Sequence, residues 1–342
     1  MSALSLKIAG EGIAGAAAGI ALALFCAASS SAAAPDDYRT GSERFIADIS
    51  ARQGFDADAL RRLLARASYR QSIVDAMRRP YEGKPWRDYR TLFLTPDRIR
   101  EGVRFWQNNA ETLERAESTY GVKPEIIVAI IGIETNYGAN LGSYPILDAL
   151  TTLGFAYPPR ADFFRAELEE FLLLTREEDI DPLTATGSYA GAMGKPQFIA
   201  SSYRDYAVDF DGDGKRDLWN SDPDVIGSVA NYFSRHGWRA GESTAHRTRL
   251  ADEPPVALTI AEKRPLAPNL TAGALRDAGF DWNVNLPADT RVTLMRLDGD
   301  GDEYWIGLAN FYVITRYNHS NLYAMAVHQL SEAIRTGHLG ES

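Results

Sequence analysis

The chain has 342 residues, of which 45% are apolar and 11% aromatic. This composition can bury a sizeable core, and it excludes an intrinsically disordered protein. The formal net charge of −10 argues against nucleic acid or anionic lipid as the main partner, because both attract basic surfaces.

Residues 1–34 have the features of a secretory signal peptide. Lys7 precedes an apolar run of small residues from Gly12 to Ala28, and a tract of Ala and Ser follows. We therefore expect export and removal of this segment. The only cysteine, Cys26, lies within it, so the exported chain would hold no disulfide. A lipid anchor on Cys26 is the weaker alternative, because Phe25 stands where a lipoprotein signal needs a small residue.

Residues 38–120 carry apolar side chains at helical spacing, for example at Leu60 and Leu64. The pattern predicts an N-terminal helical domain, part of which packs on the core that follows. Thr95 stands before a proline and an aspartate and is expected to open a longer helix. Tyr89 precedes it, and this aromatic side chain could either pack in the core or line a binding site.

One almost wholly apolar segment carries a single carboxylate. Residues 126–138 read IIVAIIGIETNYG, with Glu134 near the end. Pro124 suits a first helical position and Gly138 suits the position that follows the last turn, so a buried central helix is favoured over a strand. Burial and a helix C-terminus both disfavour an anion, which makes Glu134 a candidate general acid. The alternative is a glutamate that reaches solvent or pairs with an arginine.

A further helix is predicted from Ala161 to Thr175. The segment 186–206, TGSYAGAMGKPQFIASSYRDY, then changes character. Its glycines suggest backbone that lies close to another group, although a structural loop would explain them too. The proline before Gln197 and Phe198 is able to begin a helix.

Residues 209–224, DFDGDGKRDLWNSDPD, match an EF-hand calcium loop. Aspartates occupy ligand positions 1, 3 and 5, and a glycine occupies the sharp turn at position 6. Position 12 is Asn220 instead of a bidentate glutamate, so closure is expected from a later carboxylate. The expected ligands are Asp209, Asp211, Asp213, the backbone carbonyl of Lys215, and Asp224. A solvated acidic turn is the alternative.

Residues 248–307 switch to short extended runs separated by Pro, Gly and Asn, which predicts a small antiparallel β domain. The runs from Arg291 to Leu297 and from Glu303 to Gly307 are expected to form a hairpin. Its acidic turn is not predicted to bind metal, because Glu303 stands where a calcium loop needs glycine. Residues 308–342 return to helical spacing and are expected to rejoin the core.

Five motifs carry a resemblance to a known family: GIETNYG, GSYAGAMGKPQF, DFDGDGKRDLW, IGSVANYF and FYVITRYNHSNLYAMAV. Over about residues 38–335 the chain resembles the membrane-bound lytic murein transglycosylase B family. The resemblance implies an α+β, mainly helical fold with a lysozyme-like catalytic core at 121–247, an α domain and a small inserted β domain. It also implies structural Ca²⁺ in the EF-hand-like loop 209–224 and no cofactor for catalysis.

The resemblance further implies a periplasmic enzyme that acts on peptidoglycan glycan strands. Members of the family cleave the bond between N-acetylmuramic acid (MurNAc) and N-acetylglucosamine (GlcNAc) without water and leave a 1,6-anhydroMurNAc end. We expect a monomer that binds no nucleic acid, with other cell-wall enzymes as further candidate partners.

In this resemblance Glu134 is the single catalytic acid and base. The residues implied to contact the glycan are Tyr89, Ser188, Gln197, Phe198, Tyr232, Tyr317, Asn318 and Tyr323. Ser188 and Asn318 are implied to lie near the N-acetyl group or the acid. Ordinary core packing remains an alternative for Tyr232 and Tyr317.

Two other functions stay open at this stage. A muramidase would hydrolyse the same bond and would need a second carboxylate to position water, for which Asp148 is the nearest candidate in the sequence. A non-catalytic peptidoglycan-binding protein would keep the groove but would not need Glu134.

Overall fold

The structure, a computed structural model, describes residues 36–78, 84–250 and 258–340. The predicted signal peptide, including Cys26, lies outside these residues. Each helix within the described ranges is too short or too polar to cross a membrane.

Most of the described chain is helical, and the predicted α+β, mainly helical class is confirmed. The helices are α1 (Asp36–Gln53), α2 (Ala57–Leu64), α3 (Gln71–Met77), α4 (Trp86–Tyr89), α5 (Pro96–Asn108), α6 (Ala110–Tyr120), α7 (Pro124–Thr135), α8 (Ile146–Ala156), α9 (Ala161–Glu177), α10 (Ala200–Tyr206), α11 (Asp222–Arg235), α12 (Ala272–Asp277), α13 (Ala309–Tyr317) and α14 (Asn321–Leu339). The strands are β1 (Tyr144–Pro145), β2 (Thr186–Gly187), β3 (Ala245–Leu250), β4 (Leu270–Thr271), β5 (Phe280–Asp281), β6 (Arg291–Gly299) and β7 (Gly301–Gly307).

Helix α7 runs through the centre of the helical part. All 12 of its residues are buried, because α5, α6, α11 and α14 pack around it. Pro124 takes the first position, where a missing backbone N–H costs nothing. The helix ends at Thr135 and is capped by Asn136, two residues before the predicted Gly138. Asn136 can serve as the cap because it tolerates the left-handed φ of 51° and donates its N–H to the carbonyl of Gly132.

The N-terminal helices pack on two sides of one core. Helices α1 and α3 contact α8, which lies along α9, whereas α5 packs on α7 and α14. A single hydrophobic cluster therefore extends from Phe45 to Ile334. Thr95 begins α5 as predicted, since its side chain accepts a 3.2 Å hydrogen bond from the backbone N–H of Arg98.

A second, smaller hydrophobic cluster belongs to the β domain. Its antiparallel sheet has the strand order β4-β6-β7-β3-β5. The predicted hairpin is present as β6 and β7, and it turns at Asp300 with Gly301 at a φ of 94°. Arg87 pairs with Asp298 of this turn, and Arg90 pairs with Asp300. These ion pairs tie the β domain to the segment that contains α4.

Residues 186–198 form a compact loop and not the helix start that the proline before Gln197 suggested. Strand β2 pairs with β1, and Met193 and Phe198 exchange backbone hydrogen bonds of 2.8 and 3.0 Å. Gln197 adopts a φ of 52°, which does not fit a right-handed helix. Helix α10 begins only at Ala200.

The chain returns to the helical core through α13 and α14. Helix α14 packs along α5 and α7. Ser320 caps α14 by accepting a 3.4 Å hydrogen bond from the backbone N–H of Tyr323. Tyr323 therefore lies in the first turn of α14, where it faces the C-terminal end of α7.

Candidate active site

Glu134 lies in the last turn of α7 and is only 8% exposed. Burial raises the pKa of its carboxyl to about 7, and a hydrogen bond from Tyr323 acts in the opposite direction. The Tyr323 hydroxyl donates to Oε1 of Glu134 at 2.5 Å. Burial and a neutral donor thus set this pKa, instead of the solvent or the arginine partner that the alternative required.

Aromatic rings surround this pair on the side of α13. Tyr317 stacks on Tyr323 with an interplanar angle of 9° and a centroid distance of 6.5 Å. Burial, and next the nearby charge of Glu134, raise the pKa of Tyr317 and of Tyr323 well above the ordinary value. Phe198 lies 5.8 Å from the Tyr317 ring and 5.7 Å from that of Tyr232. The structure therefore brings four of the predicted groove aromatics together.

Two of these tyrosines use their hydroxyl groups within the protein. Tyr317 donates to the carbonyl of Pro196 at 2.6 Å, and Tyr232 donates to the carbonyl of Arg316 at 2.7 Å. Tyr232 also stacks on His236, at a centroid distance of 4.0 Å. These contacts agree with the packing alternative for Tyr232 and Tyr317.

Ser188 and Gln197 hold the loop that follows β2. The Ser188 hydroxyl accepts hydrogen bonds from the backbone N–H groups of Ala190 and Ala192, at 3.3 and 3.0 Å. The Gln197 amide donates to the carbonyls of Leu141 and Gly194, at 3.2 and 2.9 Å. Both side chains therefore stabilise this loop, and any glycan contact would be added to that role.

Asn318 and Tyr89 approach the site from two other segments. Asn318 joins α13 to α14 and is 5% exposed, and its Oδ1 is buried without a hydrogen-bond partner among the described residues. A buried acceptor of this kind is suited to a donor from a ligand, such as an amide N–H. Tyr89 is buried in α4, and it is among the neighbouring groups that raise the pKa of Tyr323. It thus belongs to the surroundings of Tyr323.

Thr135, which the sequence analysis did not select, connects α7 to the loop after β2. Its hydroxyl donates to the carbonyl of Lys195 at 2.9 Å and accepts from the backbone N–H of Gly138 at 3.1 Å. Thr135 directly follows Glu134 in GIETNYG, and that adjacency was the available signal.

Asp148, the candidate second carboxylate, is buried elsewhere. Its Oδ2 pairs with Arg70 at 2.7 Å, and its Oδ1 accepts from the backbone N–H of Ser68 at 2.8 Å. With both oxygens occupied, this carboxylate fastens the α2–α3 connection to α8.

Three of the five expected calcium ligands converge. Carboxylate oxygens of Asp209, Asp211 and Asp213 lie within 4.8 Å of one another on the surface. Three oxygen donors of this kind suit Ca²⁺. Lys215 follows the tight turn, and its backbone N–H donates to Asp213 at 2.9 Å.

Asp224 does not join this group, in contrast to the expectation that it closes the loop. It is 1% exposed, and its carboxylate accepts from the backbone N–H groups of Phe210 at 2.7 Å and Asp217 at 2.8 Å. The reason is its place in the first turn of α11, which directs the side chain at the inner backbone of the loop. Asp224 therefore braces the loop from inside.

Comparison with known proteins places the chain in a family. Residues 38–332 match the family model described as transglycosylase SLT domain. Membrane-bound lytic murein transglycosylase B of Escherichia coli is 45% identical over 310 residues, which cover 86% of this chain and 82% of the relative.

Two solved structures share the fold. Lytic transglycosylase SltB1 from Pseudomonas aeruginosa is 51% identical, with a TM-score of 0.82 over 87% of this chain and 97% of its own. Lytic transglycosylase Slt35 from Escherichia coli, solved in complex with calcium, is 44% identical, with a TM-score of 0.79 over 87% and 94%. The predicted lysozyme-like fold is thereby confirmed. The chain belongs to the transglycosylase SLT domain family of lytic murein transglycosylases.

Proposed function

We propose that this protein is a lytic transglycosylase that cleaves the MurNAc-β-1,4-GlcNAc bond of peptidoglycan without water and forms 1,6-anhydroMurNAc ends, with Glu134 as its only acid and base. The observation that carries the proposal is the burial of Glu134, which raises its pKa to about 7. A group with such a pKa can both donate and accept a proton near neutral pH. The relatives named above support the substrate class.

In the reaction Glu134 gives up one proton and later takes up a different one. Protonated Glu134 donates to the glycosidic oxygen as the bond from that oxygen to C1 breaks. The carbonyl oxygen of the MurNAc N-acetyl group bonds to C1 and holds the positive charge. The Glu134 carboxylate then accepts the proton of the C6 hydroxyl as O6 bonds to C1 and displaces the acetyl oxygen.

Tyr323 is suited to stabilise Glu134 between the two proton transfers. Its hydroxyl donates to Oε1 of Glu134 at 2.5 Å and stabilises the carboxylate that exists between the two proton transfers. Asn318, with its buried and unpartnered Oδ1, is the proposed acceptor for the N–H of the N-acetyl group. Tyr89, Ser188, Gln197, Phe198, Tyr232 and Tyr317 are proposed to shape the groove, mainly through the packing described above.

The two rival functions fit the geometry less well. A muramidase needs a second carboxylate to position water, and both oxygens of Asp148 are already bound to Arg70 and Ser68. A binding protein would have no use for a buried carboxylate whose main contact is a tyrosine. A group of that kind is costly to keep in a core and is typical of a catalytic site.

We further propose that the protein works in the periplasm as a monomer and binds Ca²⁺ at Asp209, Asp211 and Asp213 for stability alone. The convergence of the three carboxylates supports the ion site. The signal peptide expected from the sequence supports the location. The calcium complex of Slt35 supports the choice of ion.

Mass spectrometry of digested murein sacculi tests the reaction. We expect products with 1,6-anhydroMurNAc ends, whereas reducing MurNAc ends would contradict the proposal and indicate hydrolysis. Glu134→Gln should abolish cleavage while the fold remains, because the amide neither donates the proton nor accepts one. General acid and base catalysis is commonly worth about 10²–10⁴-fold, and both steps would suffer here.

Glu125→Gln is the matched control for this variant. Glu125 is 7% exposed in the first turn of the same helix, and burial also raises its pKa. This control should cleave at close to the wild-type rate. Wild-type activity of Glu134→Gln would show that another group is the acid.

A further inference from the structure

The loop at residues 194–197 lies between the C-terminal end of α7 and the second half of the EF-hand-like loop 209–224. The backbone carbonyl of Lys195 accepts a 2.9 Å hydrogen bond from Thr135, the residue after Glu134. The backbone N–H of Lys195 donates to the carbonyl of Leu218 at 2.8 Å. One residue thus joins the end of the proposed catalytic helix to the segment that leads into α11.

The side chain of Lys195 strengthens this connection. Its ammonium group forms an ion pair with Asp222, the first residue of α11. Its aliphatic part lies over Gly138, where an added Cβ would be 3.0 Å from Cε. The side chains of Lys195 and Asp222 are only 16% and 33% exposed. Solvent therefore screens this pair less than the fully exposed pairs of the surface.

The same loop reaches Glu134 by a second route. The backbone carbonyl of Pro196, next to Lys195, accepts a 2.6 Å hydrogen bond from the Tyr317 hydroxyl. Tyr317 stacks on Tyr323, which donates to Glu134. Displacement of the loop would consequently disturb the acid from both sides, through Thr135 and through the two tyrosines.

We propose that Lys195 is a positioning residue, whose ion pair with Asp222 fixes the loop at 194–197 and thereby holds Glu134 and Tyr323 in their reactive geometry. The inference rests on the proposed catalytic role of Glu134. Lys195 touches neither the acid nor the bond that breaks, and it acts through Thr135 and Tyr317. A pair that only stabilised the fold would change the melting temperature and leave the chemistry unaltered.

Lys195→Met tests this role, because it keeps most of the aliphatic length and removes the charge. We expect kcat to fall about ten- to a hundredfold, the scale on which small misplacements of catalytic groups act. KM should change less than kcat, because every side chain that lines the groove is retained. Activity should fall at high pH as Glu134 loses its proton, and in Lys195→Met this fall should occur at lower pH. The reason is that water admitted beside Glu134 removes part of the burial that raises the pKa of Glu134.

Two further variants of the pair sharpen the test. Asp222→Asn should reproduce the loss of kcat and the shift of the profile. Lys195→Arg keeps the charge and should restore most of the activity, even though guanidinium geometry differs from that of an ammonium group.

Arg204→Met is the matched control. Arg204 forms ion pairs with Glu170 and Glu177 on α9, and its side chain is comparably shielded at 26% exposure. It should lower the melting temperature without altering kcat or the pH profile. All rates are measured well below each variant's melting temperature, so that loss of folded protein does not count as loss of chemistry.

The outcomes separate this inference from the proposed function. A wild-type kcat and pH profile in Lys195→Met would overturn the positioning role, and so would an equal loss of kcat in Arg204→Met. If Glu134→Gln is inactive in the same assay, only the inference about Lys195 has failed. If Glu134→Gln stays active, the proposed function itself has failed.

Discussion

Tyr323 and Glu134 are 189 residues apart in the sequence, yet the Tyr323 hydroxyl donates a 2.5 Å hydrogen bond to Oε1 of Glu134. Two opposing effects meet in this contact. Burial raises the pKa of Glu134, the tyrosine lowers it, and the result is about 7. Tyr323 thus lowers a pKa that burial alone would raise further.

The pH dependence of cleavage follows from this balance. The first step needs protonated Glu134, so activity should fall as the pH rises through about 7. Initial rates on purified sacculi between pH 5 and 9, with folding checked at each pH, measure this limb. A rate that stays constant up to pH 9 would contradict Glu134 as the proton donor.

Tyr323→Phe should move that limb to higher pH. The substitution removes a hydrogen bond that lowers the pKa of Glu134, so the carboxyl stays protonated further into the alkaline range. Hydrogen bonds to charged groups contribute about 1.5–3 kcal/mol, which corresponds to roughly one to two pH units. The maximal rate should decrease as well, because the carboxylate formed between the two proton transfers loses its donor. A shift to lower pH would contradict the role given to this contact.

Protein stability should depend on pH through the same group. Glu134 has a pKa of about 7 in the folded protein and an ordinary value of 4.5, so the folded state holds this proton more tightly. The resulting stabilisation is complete below about pH 4.5 and is lost as the pH rises through about 7. The difference between the two pKa values corresponds to roughly 3 kcal/mol.

Glu134→Gln should escape this loss, because its amide stays neutral. Relative to the wild type, the variant should therefore gain up to about 3 kcal/mol in unfolding free energy between pH 5 and pH 8. Urea unfolding of both proteins at the two pH values measures the difference. Parallel pH dependences would show that the carboxyl of Glu134 is not desolvated in solution.

The central helix was readable from the sequence because α7 is buried on every side. An apolar run with one carboxylate is then sufficient to predict that Glu134 is buried near the end of this helix, and Pro124 marks the start of the helix. The β6–β7 hairpin was readable for the same local reason, since its turn and its strands are contiguous. Such features depend on neighbours within one or two turns of chain.

The contacts that tune the acid were not readable in this way. The bond from Tyr323 to Glu134 depends on how α14 packs along α7 after the β domain has intervened. Asp224 was expected at the ion because position 12 of the loop is an asparagine and a later carboxylate was needed to close it. Helix geometry directs it at the backbone of Phe210 and Asp217 instead. Packing between distant segments decides both cases.

Calcium should raise the melting temperature of the protein and should not be required for bond cleavage. Asp209, Asp211 and Asp213 bring like charges within 4.8 Å on an exposed loop, and their carboxylates accept hydrogen bonds from residues of that loop. A cation relieves their repulsion only in the folded state. At a calcium concentration about a hundredfold above Kd, such linkage contributes about 2.7 kcal/mol. Magnesium should do less, because its octahedral preference fits this loop poorly.

Calorimetry with calcium, with magnesium and with a chelator measures the effect. Asp211→Asn should reduce the response to calcium, whereas Asp300→Asn, in the other exposed acidic turn, should leave it unchanged. Superimposable transitions with calcium and with the chelator would show a solvated acidic turn without an ion. If the chelator instead removed activity from a protein that stayed folded, calcium would take part in the chemistry, and the purely structural role proposed for it would be wrong.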